Sequence, residues 1–370
     1  MKSYYGLGGD LCTLLGAWRL ARQLDRELVV DWSGGRYGSV EDGNLFARFF
    51  SSPRLLCPAD VPGLTSMSVF PQEWHGRAAL PPVTYLEGVD LTHSRPDDVP
   101  ADCSAQCIVI TRDSRDLIPK VVEFGRLADE LVLREELQAA VAPLIGTLAA
   151  KKHSIGLHFR HGNGERKVMA PDPRWFRNRI NGKLKQLGLA PDDLALYVAT
   201  DCEATLRYFR QYYPGTVSLP KAYRPNGSGA LHVARDDLSA DQKIQMAREA
   251  LIDMFTLARC ATFIGSRGYF SLVPRLLRQG RDCIIYPGVR VVTPDEILVK
   301  YAPARSDPVY GPIIKRMKLP IDGLLVQSID GQRTLRYYED AVYSIPAGTG
   351  SLGDDEMLAI RRAVVARRTY

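Results

Sequence analysis

Between residues 153 and 286 the chain alternates short apolar runs with helix-length amphipathic stretches, and this alternation constrains the fold more than any other feature. The runs 153–160, 194–200, 217–219, 262–265 and 282–286 read as strands, and 172–186, 203–213, 247–258 and 270–278 carry apolar residues at helical spacing. Strands linked by helical crossovers lie parallel, because each crossover returns the chain to the edge from which the strand began. The expectation is an α/β chain whose second lobe is a Rossmann-like, doubly wound parallel sheet.

The chain has 370 residues, a length better divided into two lobes than packed around one core. We expect a first lobe over 1–150, a nucleotide-binding lobe over 151–290 and an extension over 291–370. The first lobe opens with Gly6-Leu7-Gly8-Gly9-Asp10, a helix over 11–24 and a short strand over 27–32. Residues 33–100 are rich in Gly, Pro and Ser and read as loops with brief apolar pieces. A strand is expected at 106–111 and a helix over 131–151, interrupted at Pro143. In the extension, 324–331 and 333–337 form a hairpin turned at Asp330-Gly331, and a closing helix starts at Asp354.

No run of about 18 uncharged apolar residues is present, and no apolar signal core precedes Asp10, so a cytoplasmic protein is expected. The seven cysteines are thinly spread, most within apolar stretches, which reads as reduced, buried thiols. Cys103 and Cys107 lack a second Cys or His pair nearby, so no structural metal is expected. A formal charge of +6 is too small for a nucleic-acid binder of this size and suits nucleotide phosphates or anionic headgroups.

The segment His158-Phe159-Arg160-His161-Gly162-Asn163-Gly164-Glu165 concentrates cations, an amide, a carboxylate and two glycines just after an apolar strand. Such a loop would lie at a strand's carboxyl end, where doubly wound sheets bind ligands. Arg160 could hold a diphosphate through forked, charge-assisted hydrogen bonds, and the glycines admit backbone N–H groups to phosphate oxygens. A polar turn with a surface ion pair is the structural alternative. Gly8 and Gly9 could form an anion-binding loop, or the segment could be a tight turn before an N-capping Asp10.

Asp201 follows a strand, where it either faces substrate or caps the next helix. Asp253 sits among apolar neighbours on a helix, so its carboxylate needs a partner; a guanine ring offers two N–H donors, and an exposed helical turn is the alternative. Ser266, Arg267, Gly268, Tyr269, Phe270 and Ser271 lie between a strand and a helix as a second phosphate cradle. Lys221 and Arg224 could add charge and His232 a contact, or all three could be solvated surface residues.

Several of these segments, in this order, resemble the bacterial nodulation fucosyltransferases that form an alpha-1,6 bond, and more distantly the animal core fucosyltransferases. The matches are His158 to Glu165, Ala199-Thr200-Asp201, Gly229-Ala230-Leu231-His232 and Ala250 to Cys260, with Gly6 to Asp10, Ala17-Trp18-Arg19 and Val30-Asp31-Trp32 near the start. They span roughly residues 4 to 275. The chain departs from the resemblance at Arg267-Gly268-Tyr269, where relatives carry a more Ser/Thr-rich run, and from residue 290 onward.

The resemblance implies a two-lobed GT-B glycosyltransferase without metal or other cofactor. GDP-fucose would be the donor, a glycan or lipid-linked oligosaccharide the acceptor, and its 6-OH the site of inverting transfer. It assigns Arg160 to the donor diphosphate, His158 and Asp253 to the guanine side and Ser266–Ser271 to a third donor motif. Glu165 is the expected general base and His161 the second choice, since both flank Arg160. Another nucleotide sugar, or nucleotide and glycan binding without catalysis, are the rival readings. Arg361, Arg362, Arg367 and Arg368 form either a peripheral membrane contact or a solvated basic face.

Overall fold

The computed structural model describes residues 1–2, 6–38, 41–52, 55–78, 94–160, 173–222, 238–266 and 268–286, with the backbone of three strands between 324 and 346. Its organising element is a five-stranded parallel sheet of β5 (His153–Phe159), β6 (Leu194–Thr200), β7 (Thr216–Val217), β8 (Thr262–Gly265) and β9 (Cys283–Ile285). The strand order is β7-β6-β5-β8-β9, so the chain winds outward from β5 in one direction and then returns to build the other half. All seven residues of β6 are buried, which is why this strand reads as a continuous apolar run rather than an alternation.

Helices α5 (Pro173–Leu187) and α6 (Glu203–Tyr212) cover one face of the sheet. There Trp175, Phe176, Phe209 and Tyr286 pack with Phe159 of β5. Leu148 from α4 (Glu135–Ala149) and Leu257 from α7 (Ala240–Arg259) meet Tyr197 and Phe263 on the other face. The expected doubly wound sheet is therefore present.

Several element ends differ from expectation. α4 begins at Glu135 and runs through Pro143 without a break, because packing against α7, β5 and β6 outweighs the hydrogen bond that Pro143 removes. α7 begins at Ala240, seven residues earlier than its apolar pattern suggests. The Ser239 hydroxyl accepts the Gln242 N–H, and the Gln242 side chain accepts the Ser239 N–H, a reciprocal cap that fixes this end.

α1 (Leu7–Gln23) is another early start: Gly6 is its N-cap, and Asp10 lies buried in the first turn instead of capping it. β1 (Leu28–Val29) pairs in parallel with β2 (Leu55–Leu56), preceded by α2 (Leu45–Phe49), and β3 (Val69–Phe70) pairs with β4 (Cys107–Ile108). The Asn44 side chain holds this part together, accepting from the Trp32 and Phe46 N–H groups and donating to the Val30 carbonyl. All seven cysteines are free, but only Cys12, Cys202 and Cys260 are buried, and the other four are half-exposed.

α1 and α3 (Val121–Ala128) pack against α8 (Tyr269–Leu277), and one apolar cluster runs from Leu7, Leu11 and Trp18 through Phe124 to Met254, Leu272 and Leu276. The early residues therefore share a core with two helices of the sheet half. β10 (Leu324–Ile329), β11 (Gln332–Tyr337) and β12 (Asp340–Pro346) form an antiparallel meander, one strand more than the expected hairpin. The closing helix with its four arginines, and the turn at Asp330-Gly331, lie outside the described residues.

At Gly8 the start of α8 leaves no room for a side chain on α1: a Cβ added there would lie 2.8 Å from the Phe270 nitrogen and 2.9 Å from the Tyr269 carbonyl carbon. Both obstacles are backbone. Gly8→Ala should therefore lower stability by about 1–3 kcal/mol, by the usual cost of overpacking. Gly146→Ala, in α4 with nothing within 4 Å of the new methyl, should raise it by about 0.5–1 kcal/mol through helix propensity. Thermal melts of both variants check this pair, and equal melting shifts would contradict it.

Candidate functional site

β5, β6 and β8 all end at one edge of the sheet, and the winding reverses between β5 and β8. Loops leaving strands on the two sides of such a reversal diverge and open a crevice. A cavity of about 120 Å³ lies there. Its walls bring together Arg160 beyond β5, Asp201 beyond β6, Glu249 and Asp253 of α7, Phe270 of α8 and Gly8 of α1. His158, Lys221 and Tyr37 complete the polar lining.

His158 is buried at the end of β5, with Nδ1 2.6 Å from the Ser271 hydroxyl and its ring stacked on Phe270 at a centroid distance of 4.3 Å. Burial, reinforced by the positive charges of Arg160 and Lys221, pushes its pKa down from 6.5 to about 3. The imidazole is thus neutral at physiological pH and acts as a polar contact, not as a cation. Ser271 also accepts the Ser266 N–H at 2.9 Å, so one hydroxyl joins the loop after β8 to the end of β5.

Asp253 is completely buried. Tyr197 donates its hydroxyl to Oδ1 at 2.6 Å, and the Lys221 ammonium pairs with Oδ2. One helical turn earlier, Glu249 Oε1 accepts the Ala222 N–H at 3.0 Å and the Gln245 side-chain amide at 3.1 Å. Two buried carboxylates at an i, i+4 spacing on α7 therefore hold the Lys221-Ala222 segment, one by side chain and one by backbone. The alternative of an exposed turn at Asp253 is excluded.

Of the residues singled out in the sequence, His158, Arg160, Asp201, Lys221, Asp253, Phe270 and Gly8 share the cavity. Asp201 does not cap the following helix: Cys202 is the N-cap residue, without a side-chain cap. Gly9, Ser266, Gly268, Tyr269 and Ser271 stand behind the lining. The Gly9 carbonyl accepts the Thr13 hydroxyl, Gly268 is the N-cap of α8, and Tyr269 directs its hydroxyl to Asp113 at 3.1 Å. His161, Gly162, Asn163, Glu165, Arg224, His232 and Arg267 lie outside the described residues.

Tyr37 and Glu249 are cavity residues that sequence reasoning passed over. Withdrawal from water raises the Tyr37 phenol to about 12 against the opposing effect of a backbone hydrogen bond at Leu7, so it stays a neutral group beside the first turn of α1. The one signal was an aromatic among glycines, Gly34-Gly35-Arg36-Tyr37-Gly38. Glu249 carries no such signal, because its role comes from the Ala222 N–H, which is remote in the sequence.

A larger cavity, about 490 Å³, lies in the first part between α1, β1 and β4. Its lining is mainly apolar, and two of its cations have structural partners: Lys2 on Asp31, and Arg26 on the Ala105 and Cys103 carbonyls. It lacks the convergent polar groups of the smaller one. Among the described residues no group of three or more His, Cys, Asp or Glu could hold a metal ion, and no helix is long and apolar enough to cross a membrane.

A parallel sheet wound in two directions, with a charged cavity at its switch point faced by a helix from an earlier layer, has the GT-B fold. The comparisons with known proteins narrow this class. Residues 120–280 match the family model described as Nodulation protein Z (NodZ), the family that the sequence resembles. The chain is 27% identical to Nodulation protein Z of Azorhizobium caulinodans over 282 residues, 70% of this chain and 82% of that protein. It is 27% identical to the Sinorhizobium fredii protein over 283 residues, 70% of this chain and 83% of that protein.

A crystal structure of NodZ alpha-1,6-fucosyltransferase soaked with GDP-fucose superimposes with a TM-score of 0.53 and 24% identity, covering 75% of this chain and 90% of that one. The fucosyltransferase NodZ from Bradyrhizobium does so with a TM-score of 0.50 over the same shares. The family-matched segment contains His158, Arg160, Asp201, Asp253 and all of α8.

His158 gives the site a measurable acid signature. Its folded-state pKa of about 3 lies below the ordinary 6.5, so as pH falls through this window the unfolded chain binds a proton that the folded chain refuses. Stability is then lost on acidification by up to about 1.4 kcal/mol per pH unit. His158→Gln should flatten this loss between the two values, while above 6.5 the two proteins should show parallel stability curves. Denaturant unfolding at a series of pH values checks it; identical acid slopes would contradict a neutral, buried His158.

Proposed function

We propose that this chain is a fucosyltransferase that moves L-fucose from GDP-fucose to a hydroxyl, the 6-OH, of a glycan or lipid-linked oligosaccharide. The observation that carries the reading is the cavity at the switch point, where Arg160, His158 and Lys221 meet at the carboxyl edge of the sheet inside the segment that matches the NodZ family. The solved relative soaked with GDP-fucose supports the choice of donor. We retain the division into a first lobe over 1–150, a donor lobe over 151–290 and an extension over 291–370.

The transfer we propose is a direct displacement without metal or other cofactor. The acceptor oxygen bonds to the anomeric carbon from the face opposite GDP, the bond from that carbon to the β-phosphate oxygen breaks, and configuration inverts. Charge grows on the departing diphosphate, where Arg160 is suited to meet it with planar, forked donors. The proton of the acceptor hydroxyl passes to a base, for which we retain Glu165, with His161 second. The guanine end of the donor lies toward His158 and Asp253, both buried polar groups of the cavity.

Arg160 supplies the first test. Arg160→Ala and Arg160→Lys should each lower transfer by about a hundredfold or more, the usual scale for an electrostatic clamp, and should weaken GDP binding in calorimetric titration. Titration with GDP, UDP and ADP in EDTA should show selectivity for GDP. Indifference among the three would remove the fucosyltransferase reading. Selective GDP binding without transfer to any member of a broad glycan panel would make the protein a nucleotide-binding module.

A further inference from the structure

Asp253 presents an electrostatic problem. A fully buried carboxylate without a counter-charge costs several kcal/mol, yet the same group lines the cavity in which we place the nucleobase. Tyr197 approaches Oδ1 from β6, and Oδ2 is held by the ammonium of Lys221. The ammonium's placement is enforced from α7, since Glu249 grips the very next backbone N–H, that of Ala222. The Lys221 side chain is itself only 11% exposed, so it fills space at the cavity wall instead of extending into solvent.

The cavity volume agrees with this arrangement. At about 120 Å³ it is well below the roughly 300–1,000 Å³ usual for small-molecule sites, and Lys221 is part of the wall that confines it. An ammonium and the N–H edge of a purine offer a carboxylate the same thing: hydrogen-bond donors carrying positive charge or partial positive charge.

We infer that Lys221 is a stand-in for the nucleobase: without nucleotide its ammonium occupies the Asp253 oxygen that the base's N–H donors take, and nucleotide entry displaces it. The inference rests on the proposed nucleotide site and adds to it a residue that opposes binding. The exchange conserves a partner for Asp253 in both states, so the buried charge is never left alone. It also frees a cation close to Arg160 and His158 when an anionic ligand arrives, since all three side chains line one cavity and Arg160 and Lys221 both act on His158. Lys221 is here a specificity residue, because only a ligand with donors to offer the carboxylate can replace it.

The order of affinities among variants tests this. GDP titrations of the full chain would use the wild type, Lys221→Met, Lys221→Gln and Lys221→Arg. Lys221→Met should bind GDP more tightly, by on the order of tenfold if the stand-in holds the site about nine-tenths of the time. Lys221→Arg, which grips a carboxylate with two parallel bonds, should bind GDP more weakly than the wild type. Should the Met variant fail to fold, the Gln variant carries the test, with the same sign and a smaller gain.

The opposite order, weaker binding on loss of the charge and near-normal binding with Arg, would make Lys221 a phosphate contact and overturn the inference while leaving the nucleotide site in place. Unchanged affinity in the Met or Gln variant overturns it equally. A folded wild type that does not bind GDP at all removes the site reading itself, and the stand-in with it.

Discussion

The contact between the first turns of α1 and α8 governs the rest of the molecule. At Gly8 the two backbones approach so closely that not even a methyl group fits, and this seats a helix from the start of the chain at the carboxyl edge of a sheet that begins some 150 residues later. Two helix amino termini, begun at Gly6 and Gly268, thereby converge beside one cavity. Each carries the partial positive charge of a helix start. The apolar cluster that continues from Leu11 to Leu276 fixes the contact from behind, so the cavity's shape follows from packing outside it.

The electrostatics of the cavity are a balance of opposing charges. Arg160 and Lys221 face Asp201, Glu249 and Asp253 within one lining, and burial strengthens every interaction among them. The neutral state of His158 belongs to this balance: burial disfavours its charged form, the positive charges of Arg160 and Lys221 add to the effect, and the ring gives up its proton. A serine hydroxyl and a stacked phenyl ring then suffice to hold it. The same reasoning makes Asp253 dependent on a nearby donor at all times.

The sheet was legible in the sequence because a central parallel strand is apolar along its entire length. The run 194–200 is strand β6 to the residue, and the expected strand over 262–265 is β8. Helix starts were less legible, since α1 and α7 are fixed by a glycine N-cap and a serine–glutamine cap lying ahead of their apolar stripes. Pro143 misled because local chemistry predicts a break that tertiary packing overrides. At the site, Arg160 and Asp253 could be read from chemistry that was out of place for its surroundings. Tyr37 and Glu249 could not, because each looks ordinary in its own segment and gains meaning only from neighbours far along the chain.

The early residues carry the same lesson about glycine. Gly6-Leu7-Gly8-Gly9 has the composition of a phosphate-binding loop, and a loop was the natural expectation for three glycines in four positions. In the structure Leu7, Gly8 and Gly9 are already helical, and Gly8 meets protein backbone on one side while bordering the cavity on the other. A residue without a side chain can let a ligand approach or let another helix approach, and the sequence does not say which. Here the second use creates the conditions for the first: because α8 is admitted to within van der Waals distance of α1, Phe270 reaches the ring of His158, and the wall of the cavity is closed.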